Sequence, residues 1–418
     1  MPDGVTDSTV AIQAAIDAAG PAGDDVLISG GEFRTSDQLD CPYDDLRIKG
    51  DGGIRARVGS WTTHKALLQV TGTGVTIEGN GLTFDQNNII PGGDSIRGLA
   101  AVGLAVTGVV SRGTQRSFLF LGDDCTDVVV ADIDHLGRGY GVLANDPMGL
   151  ARITVRGSVF EHVGDGTAGD GLQFNCRTHG GDQVDVIDVV TRGYIGEATS
   201  QGIGVGFARV TNTRVIGCLA ESCESDGFHW ERQSHDGVAF DCRALHCGRP
   251  DHVGGNGSGF IVYDSERWLG ECLLALDCWY HGIALSGQAS LVPPQGSVIF
   301  RCTALDTGRD GFHFTAQSGA TINRCHARDP SRNGANTYAA YHLAKQGGAT
   351  LENVDCFGDD NTALLTGATT PLGLTIVRLE SINCLINGVG GGVLEARLTE
   401  DGDMRITESG EQRVLEAA

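Results

Sequence analysis

The 418-residue chain lacks several features that would place it in common classes of protein. No stretch approaches 18 consecutive apolar residues, so the sequence predicts no membrane-spanning helix. The opening Met-Pro-Asp-Gly has neither the charged nor the apolar region of a signal peptide, so we expect synthesis in the cytoplasm. Proline occurs only 10 times, and no linker or charge block interrupts the chain. These absences favour one elongated domain.

Lysine is also scarce, since it occurs only as Lys49, Lys65 and Lys345, and acidic residues outnumber basic ones by 53 to 30. The net charge of −23 disfavours nucleic acid and anionic membranes as partners. A polyanionic substrate would need a local basic groove or bridging cations. Ca²⁺ is therefore the one cofactor that the sequence leaves open.

Glycine is abundant, with 63 residues, and it marks a repeat. A glycine opens a short run of alternating bulky apolar and polar residues at Gly141, Gly171, Gly202, Gly227, Gly259, Gly282 and Gly311. A cysteine recurs with a similar spacing, at Cys218, Cys242, Cys272, Cys302, Cys325, Cys356 and Cys384. The spacing of 23 to 32 residues, by subtraction of these numbers, is typical of one structural unit per repeat. No Gly-X-Y period is present, which excludes collagen.

The alternation within each run predicts strands, because residues i and i+2 share one face of a strand. Phe228 and Trp230 are expected to point inward, while His229 and Glu231 point outward. No helical pattern separates the strands, so each coil must supply its own crossover between parallel strands. We therefore predict a parallel β-helix, in which corners that need positive φ explain the abundance of glycine. The repeat cysteines are expected to form an inward stack of buried thiols.

The amino terminus predicts a helix that covers the open end of this solenoid. Asp7 and Ser8 are candidate caps, and Ile12 with Ile16 forms the apolar face. A cover of this kind protects strand edges from aggregation. We divide the chain into a capping helix segment at 1–24, the β-helix at 25–397 and a C-terminal capping tail at 398–418.

Two stretches carry a family resemblance: DGVTDSTVAIQAAIDAA at 3–19 and VLISGGEFR at 26–34. Together they resemble the amino-terminal signature of the pectate-lyase-like superfamily, which includes polysaccharide lyases, glycoside hydrolases, alginate C5-epimerases and phage tailspike depolymerases. The resemblance implies an all-β fold, a right-handed single-stranded parallel β-helix with an N-terminal capping α-helix. It also implies a polysaccharide partner, action outside the cell or on a virion, and, for a tailspike, a homotrimer.

Motifs of individual subfamilies do not settle the reaction. Alginate epimerases carry Tyr-Gly-Phe-Asp-Pro-His, whereas residues 140–148 read YGVLANDPM, with Met148 where the histidine should be. Polygalacturonase-like hydrolases carry paired aspartates between their motifs, and this chain has Ser225-Asp-Gly and His281-Gly-Ile without such a pair. Hydrolysis and β-elimination therefore both stay open.

Outward positions of the glycine-led strands carry unusual chemistry for a solvated face. The candidate catalytic residues are Glu231, His229, Asp264, Asp226 and Asp170. The candidate substrate-binding residues are Asn145, Gln173, Asn175, Arg232, Tyr263, His313 and His342. Aspartates that precede a coil glycine, such as Asp170 and Asp226, have the alternative role of closing a turn through their own backbone.

Coil spacing links these residues to chemistry. Carboxylates one coil apart lie about 5 Å from each other, which is the separation of a retaining glycosidase pair. Glu231 with Asp264 fits this separation, and Glu231 with Asp170 or Asp226 is a looser pair. A lyase needs a base and a cation that neutralises the uronate carboxylate. His229, His313 or Tyr263 is the predicted base, and Arg232 is the predicted cation.

The sequence predicts no metal-ligating residues. Cys218 with Cys223 and Cys242 with Cys247 have C-x₄-C spacing, but zinc-binding spacings usually sit in loops with histidines nearby. The predicted function is cleavage of a long, sometimes acidic polysaccharide in a groove along the β-helix. A non-catalytic carbohydrate-binding or structural β-helix and a polyuronate C5-epimerase are the alternatives.

Overall fold

The computed structural model describes most of the chain, with the backbone alone for residue 315 and from residue 343 onward. The described residues are 6–58, 61, 64–145, 147–164, 169–177, 180–196, 202–250, 257–286, 296–315, 320–330, 332–333, 338–344, 349–352, 354–366, 375–376, 379–387, 393–398, 404–408 and 411–414. The chain forms two compact units, Met1–Glu224 and Ser225–Ala418.

The first unit begins with helix α1 at Thr9–Ala19 and a short 3₁₀ helix at Gly20–Ala22. Its described strands, β1 to β22 in chain order, are Asp25–Ile28, Glu32–Thr35, Leu39–Cys41, Arg47–Gly50, Gly53–Ala56, Ala66–Val70, Thr76–Asp85, Asp94–Gly98, Ala105–Arg112, Ser117–Leu121, Thr126–Ala131, Asp134–Gly137, Tyr140–Asn145, Leu150–Arg156, Val159–His162, Leu172–Asn175, Gly181–Ile187, Val190–Arg192, Val205–Ala208, Val210–Thr211, Arg214–Ile216 and Leu219–Glu221.

Strands of the first unit pair in parallel with the corresponding strands of the next coil, and they build three stacks. One stack runs β1-β4-β7-β9-β11-β14-β17-β21. A second runs β2-β5-β7-β9-β12-β15-β18-β22, since the long strands β7 and β9 serve two stacks. A third runs β3-β6-β8-β10-β13-β16-β19. Each coil therefore contributes one strand to each face.

Helix α1 covers the first coil, as the sequence predicts. Ile12 and Ile16 are buried, and the side chain of Gln13 accepts the backbone N–H of Asp40 while donating to its carbonyl, both at 2.9 Å. This pairing satisfies the exposed edge of β3, which would otherwise be open to another strand. Ser8 is the N-cap residue, and the carboxylate of Asp7 just before it accepts the Thr9 N–H at 3.0 Å.

The second unit contains the described strands β23 to β42, in chain order: Phe228–Glu231, Val238–Phe240, Arg243–Leu245, Phe260–Tyr263, Leu269–Glu271, Leu274–Leu276, Ile283–Ser286, Val298–Phe300, Thr303–Leu305, Phe312–Thr315, Ala320–Asn323, His326–Arg328, Ala339–Ala344, Ala349–Glu352, Val354–Thr366, Thr375–Ile376, Leu379–Asn387, Val393–Leu398, Met404–Glu408 and Glu411–Val414.

The second unit repeats the same parallel arrangement. Its stacks are β23-β26-β29-β32-β35-β37, β24-β27-β30-β33-β36-β38 and β25-β28-β31-β34-β37. Strands β39 to β42 then pair antiparallel. The fold is an all-β parallel β-helix with an N-terminal helix, as predicted, and the predicted boundaries at 24/25 and 397/398 stay predictions. Among the described residues, no helix is long and apolar enough to cross a membrane.

Period-2 alternation places one side of each strand in the core of its unit. In β23, Phe228 and Trp230 are fully buried, and Glu231 is partly exposed. Phe228 stacks on Phe260 of the next coil, with ring centroids 4.8 Å apart and planes 5° from parallel. The inward half of the sequence repeat is thus a ladder of stacked side chains.

Glycine has two roles in this fold: 19 of the described glycines have positive φ, as the composition predicts, and several repeat glycines serve close packing. Gly227, Gly259, Gly282 and Gly311 lack positive φ, whereas 27 non-glycine residues in the described part of the chain have it, 11 of them aspartate. A Cβ built on Gly259 would lie 2.7 Å from the Cβ of Ala275 and 2.8 Å from the carbonyl of Gly282. The coils therefore approach one another too closely at this position for any side chain.

A Gly259→Ala variant is expected to unfold at lower denaturant concentration than wild type, with a loss of about 1–3 kcal/mol because the added methyl overpacks the core. Gly53→Ala is the matched control, since a Cβ there meets Thr83 at an ordinary 3.7 Å. Denaturation followed by circular dichroism measures both variants. Equal midpoints for the two variants would contradict the close-approach explanation.

Two members of the sequence repeat, Gly202 and Cys272, do not occupy the structural position that the other members share. Gly202 has φ of 89°, and Gly204 occupies the close-packed position, where its carbonyl would meet a Cβ on Gly171 at 2.4 Å. Cys272 occupies a left-handed corner with φ of 56°, and Leu273 takes the buried place beside it. The predicted inward position of Cys272 is therefore wrong.

The remaining described cysteines are buried thiols, as the packing interpretation predicts. All 11 cysteines described with their side chains are free, and all except Cys272 are buried. A hydrogen bond to the Cys247 thiol, together with burial, raises the pKa of the Cys278 thiol well above its ordinary value. The side chains of Cys356 and Cys384 lie outside the described residues. Packing accounts for the described members of the repeat.

Candidate functional site

A cavity of about 580 Å³ opens on the outward face of the β23 stack in the second unit. It is lined by His229, Glu231, Ser258, Ile261, Tyr263, Tyr280, His281, Ala284, Ser286, Arg309, Asp310, His313, Tyr338 and His342. Histidine, tyrosine and arginine thus meet one another in a single concave surface, which is the usual form of a ligand-binding site.

Strand register explains how these side chains come together. His229 pairs in register with Ile261, then with Ala284 and His313 of successive coils, and His313 pairs with His342. The central strand, β29, presents only Ala284 and Ser286 to the cavity, so larger residues on either side form its walls. Small residues in the middle of the strip therefore create the hollow.

One wall carries a histidine held by a buried aspartate. Oδ2 of Asp226 lies 2.8 Å from Nδ1 of His229, and Oδ1 of Asp226 accepts the backbone N–H groups of Gly257 and Ser258 at 2.9 and 2.8 Å. Because those amides fix the carboxylate, Nδ1 of His229 is the protonated nitrogen and Nε2 is the basic one. Nε2 lies 3.9 Å from Oε2 of Glu231. The arrangement suits proton transfer.

The opposite wall contains three histidines around one carboxylate. Oδ2 of Asp310 lies 2.6 Å from Nδ1 of His313, 3.1 Å from Nδ1 of His342 and 3.3 Å from Nδ1 of His281. Oδ1 of Asp310 accepts the N–H of Ala339 at 2.7 Å. The rings of His281 and His313 stack with centroids 4.0 Å apart.

The two buried members of this cluster have shifted pKa values. Burial alone would raise the pKa of Asp310, but the imidazoles of His281, His313 and His342 hold it well below its ordinary range. Burial lowers the pKa of His281 to about 4. At neutral pH the cluster therefore contains an ionised carboxylate beside a neutral His281.

A cation flanked by aromatic rings completes the cavity. The guanidinium carbon of Arg309 lies 3.4 Å from the ring centroid of Tyr280 and 5.3 Å from that of Tyr338. Cation–π contacts of this kind hold the guanidinium in place while leaving its N–H groups free to bind an anion. Tyr263, two residues after Ile261 on the same face of the strand, is partly exposed at the same surface.

Predicted site residues are brought together in part. Glu231, His229, Tyr263, His313 and His342 line the cavity. Asp226 lies behind His229, so the structure gives it a positioning role. The turn interpretation also needs correction, because this aspartate binds backbone amides of the next coil and not those of its own turn.

Two predicted residues of this unit occupy corners of the coil. Asp264 has φ of 51°, is 7% exposed and is not among the residues that line the cavity, so the structure does not place it beside Glu231 as a second cavity carboxylate. Arg232 has φ of 53° and an exposed side chain, whose Nε lies 3.5 Å from Oε1 of Glu231. Arg309 is the cation that lines the cavity in its place.

The other predicted residues belong to the first unit. Asn145 pairs in register with Asn175, and Gln173 lies beside them on the same strip. Asp170 is fully buried, and its Oδ1 accepts the N–H of Ile203 from the next coil at 2.9 Å. This bond gives Asp170 a structural role between coils.

Sequence reasoning missed His281, Asp310 and Arg309 as site residues. The signal was a repeated phrase, since residues 226–229 and 310–313 both read Asp-Gly-Phe-His. In both copies the aspartate contacts the histidine three residues later and also binds a backbone amide of the next coil. His281 holds the aspartate's place in the second of the two coils between them, directly before Gly282.

Comparison with known proteins finds relatives by structure alone. No protein-family model and no curated protein matches the chain. The N-terminal fragment of bacteriophage phi29 gene product 12 is 13% identical with a TM-score of 0.66, and the match covers 94% of this chain and 71% of that chain. The tailspike protein of E. coli bacteriophage HK620, solved with a hexasaccharide, is 11% identical with a TM-score of 0.58. That match covers 98% of this chain and 81% of the tailspike chain.

A further match, the A-module of an Azotobacter vinelandii mannuronan C-5 epimerase, is 14% identical with a TM-score of 0.47, covering 90% of this chain and 98% of that chain. At such identities a likeness concerns the fold. The likeness to the phi29 and HK620 proteins therefore agrees with the parallel β-helix fold that the amino-terminal signature predicts, and it concerns the fold alone.

Proposed function

We propose that the protein is a polysaccharide lyase that cleaves a uronate-containing chain by β-elimination in the cavity of the second unit. The observation that carries this proposal is the pairing of His229 with the buried Asp226 at a surface that also presents Tyr263 and Arg309. A β-elimination needs a base, an acid and a cation, and these four residues supply them.

His229 is the proposed base. Its Nδ1 donates to Asp226, which leaves the lone pair on Nε2, and the aspartate stabilises the imidazolium that forms. Nε2 removes the proton on C5, next to the uronate carboxylate. The electron pair forms a C4–C5 double bond as the bond from C4 to the leaving oxygen breaks.

Tyr263 and Arg309 are the proposed partners of this step. The phenol of Tyr263 gives its proton to the leaving oxygen, and Arg309 binds the carboxylate of the attacked sugar. Binding by a guanidinium lowers the cost of the negative charge that develops on that carboxylate when C5 loses its proton. Arg309 also supplies local positive charge on a chain whose net charge is −23.

Glycoside hydrolysis fits the cavity less well, because that reaction needs two carboxylic groups at the scissile bond. Among the described residues that line the cavity, the carboxylates are Glu231 and Asp310. Asp310 has a side chain that is 1% exposed, and both of its oxygens are engaged by Ala339 and the histidines. Glu231 alone is accessible to a substrate.

The remaining predictions stay proposals. An extracellular or virion-associated place of action and a homotrimer are compatible with a polysaccharide substrate. A C5-epimerase would share the removal of the C5 proton and differ in its product. A non-catalytic binding protein would use the tyrosines and Arg309 without an acid and a base.

The test is incubation of the protein with polygalacturonate, polymannuronate and a neutral glucan. A uronate polymer is expected to yield new reducing ends together with near-ultraviolet absorbance, because elimination creates a double bond conjugated with the carboxylate. Arg309→Ala is expected to lose this activity, and Arg309→Lys to keep part of it. Reducing ends without absorbance would indicate hydrolysis, and solvent deuterium at C5 without chain cleavage would indicate epimerisation; either result overturns the proposal.

A further inference from the structure

The cluster around Asp310 has a property that the proposed elimination does not use. Three imidazole nitrogens converge on a single carboxylate oxygen, at 2.6, 3.1 and 3.3 Å. One carboxylate oxygen has two lone pairs, so three N–H donors are more than it accepts well. In agreement, Nδ1 of His281 is buried and has no hydrogen-bond partner, although Oδ2 of Asp310 lies 3.3 Å away.

The geometry points to a binding site for a divalent transition-metal ion, with Zn²⁺ as the best match, ligated by Oδ2 of Asp310 and Nδ1 of His281, His313 and His342. Around a tetrahedral zinc ion bonded at about 2.0–2.1 Å, neighbouring ligand atoms lie about 3.3 Å apart. The contacts to His281 and His342 already have nearly this length. The ligand atoms of His281, Asp310 and His313 all lie within 4.8 Å of one another.

The chemistry of the donors selects the metal. Imidazole nitrogens suit zinc and its transition-metal neighbours, whereas calcium takes six to eight oxygen ligands. This cluster offers three nitrogens and one carboxylate oxygen. Ca²⁺, which the sequence left open, is therefore a poor match for this cluster.

The fold holds these donors in place before any ion binds. His313 lies in strand β32, and Asp310 lies two residues before that strand begins. His342 pairs in register with His313 on the next coil. Oδ1 of Asp310 is held by the N–H of Ala339 at 2.7 Å, which leaves Oδ2 for the metal. The side chains of His313 and His342 are 17% and 20% exposed toward the cavity, so an ion has a path to the site.

The site is separate from the proposed base. His229 and His313 are three coils apart in register, which is about 14 Å at the usual strand spacing. His229 also has its own carboxylate, Asp226. Separate variants can therefore remove metal binding and the proposed proton abstraction.

The test uses the full-length protein after dialysis against a chelator, titrated with Zn²⁺ in a calorimeter and with Co²⁺ in a visible spectrophotometer. Wild type is expected to bind one ion per chain, with a Co²⁺ spectrum typical of four-coordinate nitrogen and oxygen ligation. His281→Ala and His342→Ala are each expected to weaken binding by about tenfold or more, since each removes a ligand.

Two further variants keep the result interpretable. His229→Ala should bind the ion as wild type does, even where it has lost activity. His246→Ala controls for exposed histidines, because the half-exposed ring of His246 contacts Asp277 at 2.9 Å. His342→Gln, at a partly exposed position, replaces any variant that fails to fold. No stoichiometric binding by wild type, or equal binding by all variants, overturns the metal site whether or not the protein is a lyase.

Discussion

A His229→Ala variant is expected to lose roughly 10³-fold of the rate of polysaccharide cleavage, within the range that removal of a general base usually costs. His229 is only 8% exposed, and Asp226 fixes its imidazole. Its removal therefore leaves no equally placed base. Binding of the polymer should change little, because Arg309 and the tyrosines remain. The loss is therefore expected in kcat, measured from the rise in near-ultraviolet absorbance.

Asp226→Asn tests the positioning role behind that base. Its carbonyl oxygen would still accept the N–H groups of Gly257 and Ser258, which leaves the amide NH₂ facing Nδ1 of His229. The imidazole must then carry its proton on Nε2, where it no longer acts as a base. We expect a folded variant that is slower by about 10²–10⁴-fold.

The control is His246→Ala, which removes a histidine with the same kind of aspartate contact outside the cavity. It should cleave at the wild-type rate. Equal losses in His229→Ala and His246→Ala would show that the histidine contributes through stability, and full activity in His229→Ala would eliminate it as the base.

A Trp230→Ala variant is expected to have the largest effect on stability, a loss of about 3–5 kcal/mol in the free energy of unfolding. Trp230 is fully buried and packs its ring edge-on against Trp268, with centroids 5.3 Å apart. Removing the indole leaves a cavity between coils that the rigid stack cannot close.

The neighbouring position supplies the control for Trp230. Glu231→Gln changes a partly exposed side chain on the outward face, so its stability should stay within about 0.5 kcal/mol of wild type. Denaturation followed by circular dichroism compares the two variants. A similar loss in both would contradict the division of this strand into an inward scaffold and an outward site.

Much of the fold follows from short-range patterns in the sequence. Alternation correctly oriented Phe228 and Trp230, and the amino-terminal signature correctly predicted the covering helix. Positive φ accounts for many glycines, as predicted, but the repeat glycines serve close approach, which only the distance between coils reveals. Aspartate and other polar residues supply many of the left-handed corners, which the repeat alone does not reveal.

The site was harder to predict because it depends on register between distant coils. Outward histidines and Tyr263 were identified one strand at a time, but the convergence of three histidines on Asp310 joins residues from three coils. Asp264 was chosen because it began a loop, and its corner conformation becomes evident only from the backbone. The repeated Asp-Gly-Phe-His phrase was the readable signal, and the turn interpretation of its aspartate concealed it.

The most direct test of the account is a crystal structure of the His229→Ala variant soaked with an oligouronate. We predict that the sugar occupies the second-unit cavity, with its carboxylate on Arg309 and its C5 about 3–3.5 Å from the position that Nε2 of His229 holds in wild type. An oligouronate bound elsewhere, or bound with its glycosidic oxygen at Glu231 and its C5 facing away from residue 229, would contradict it.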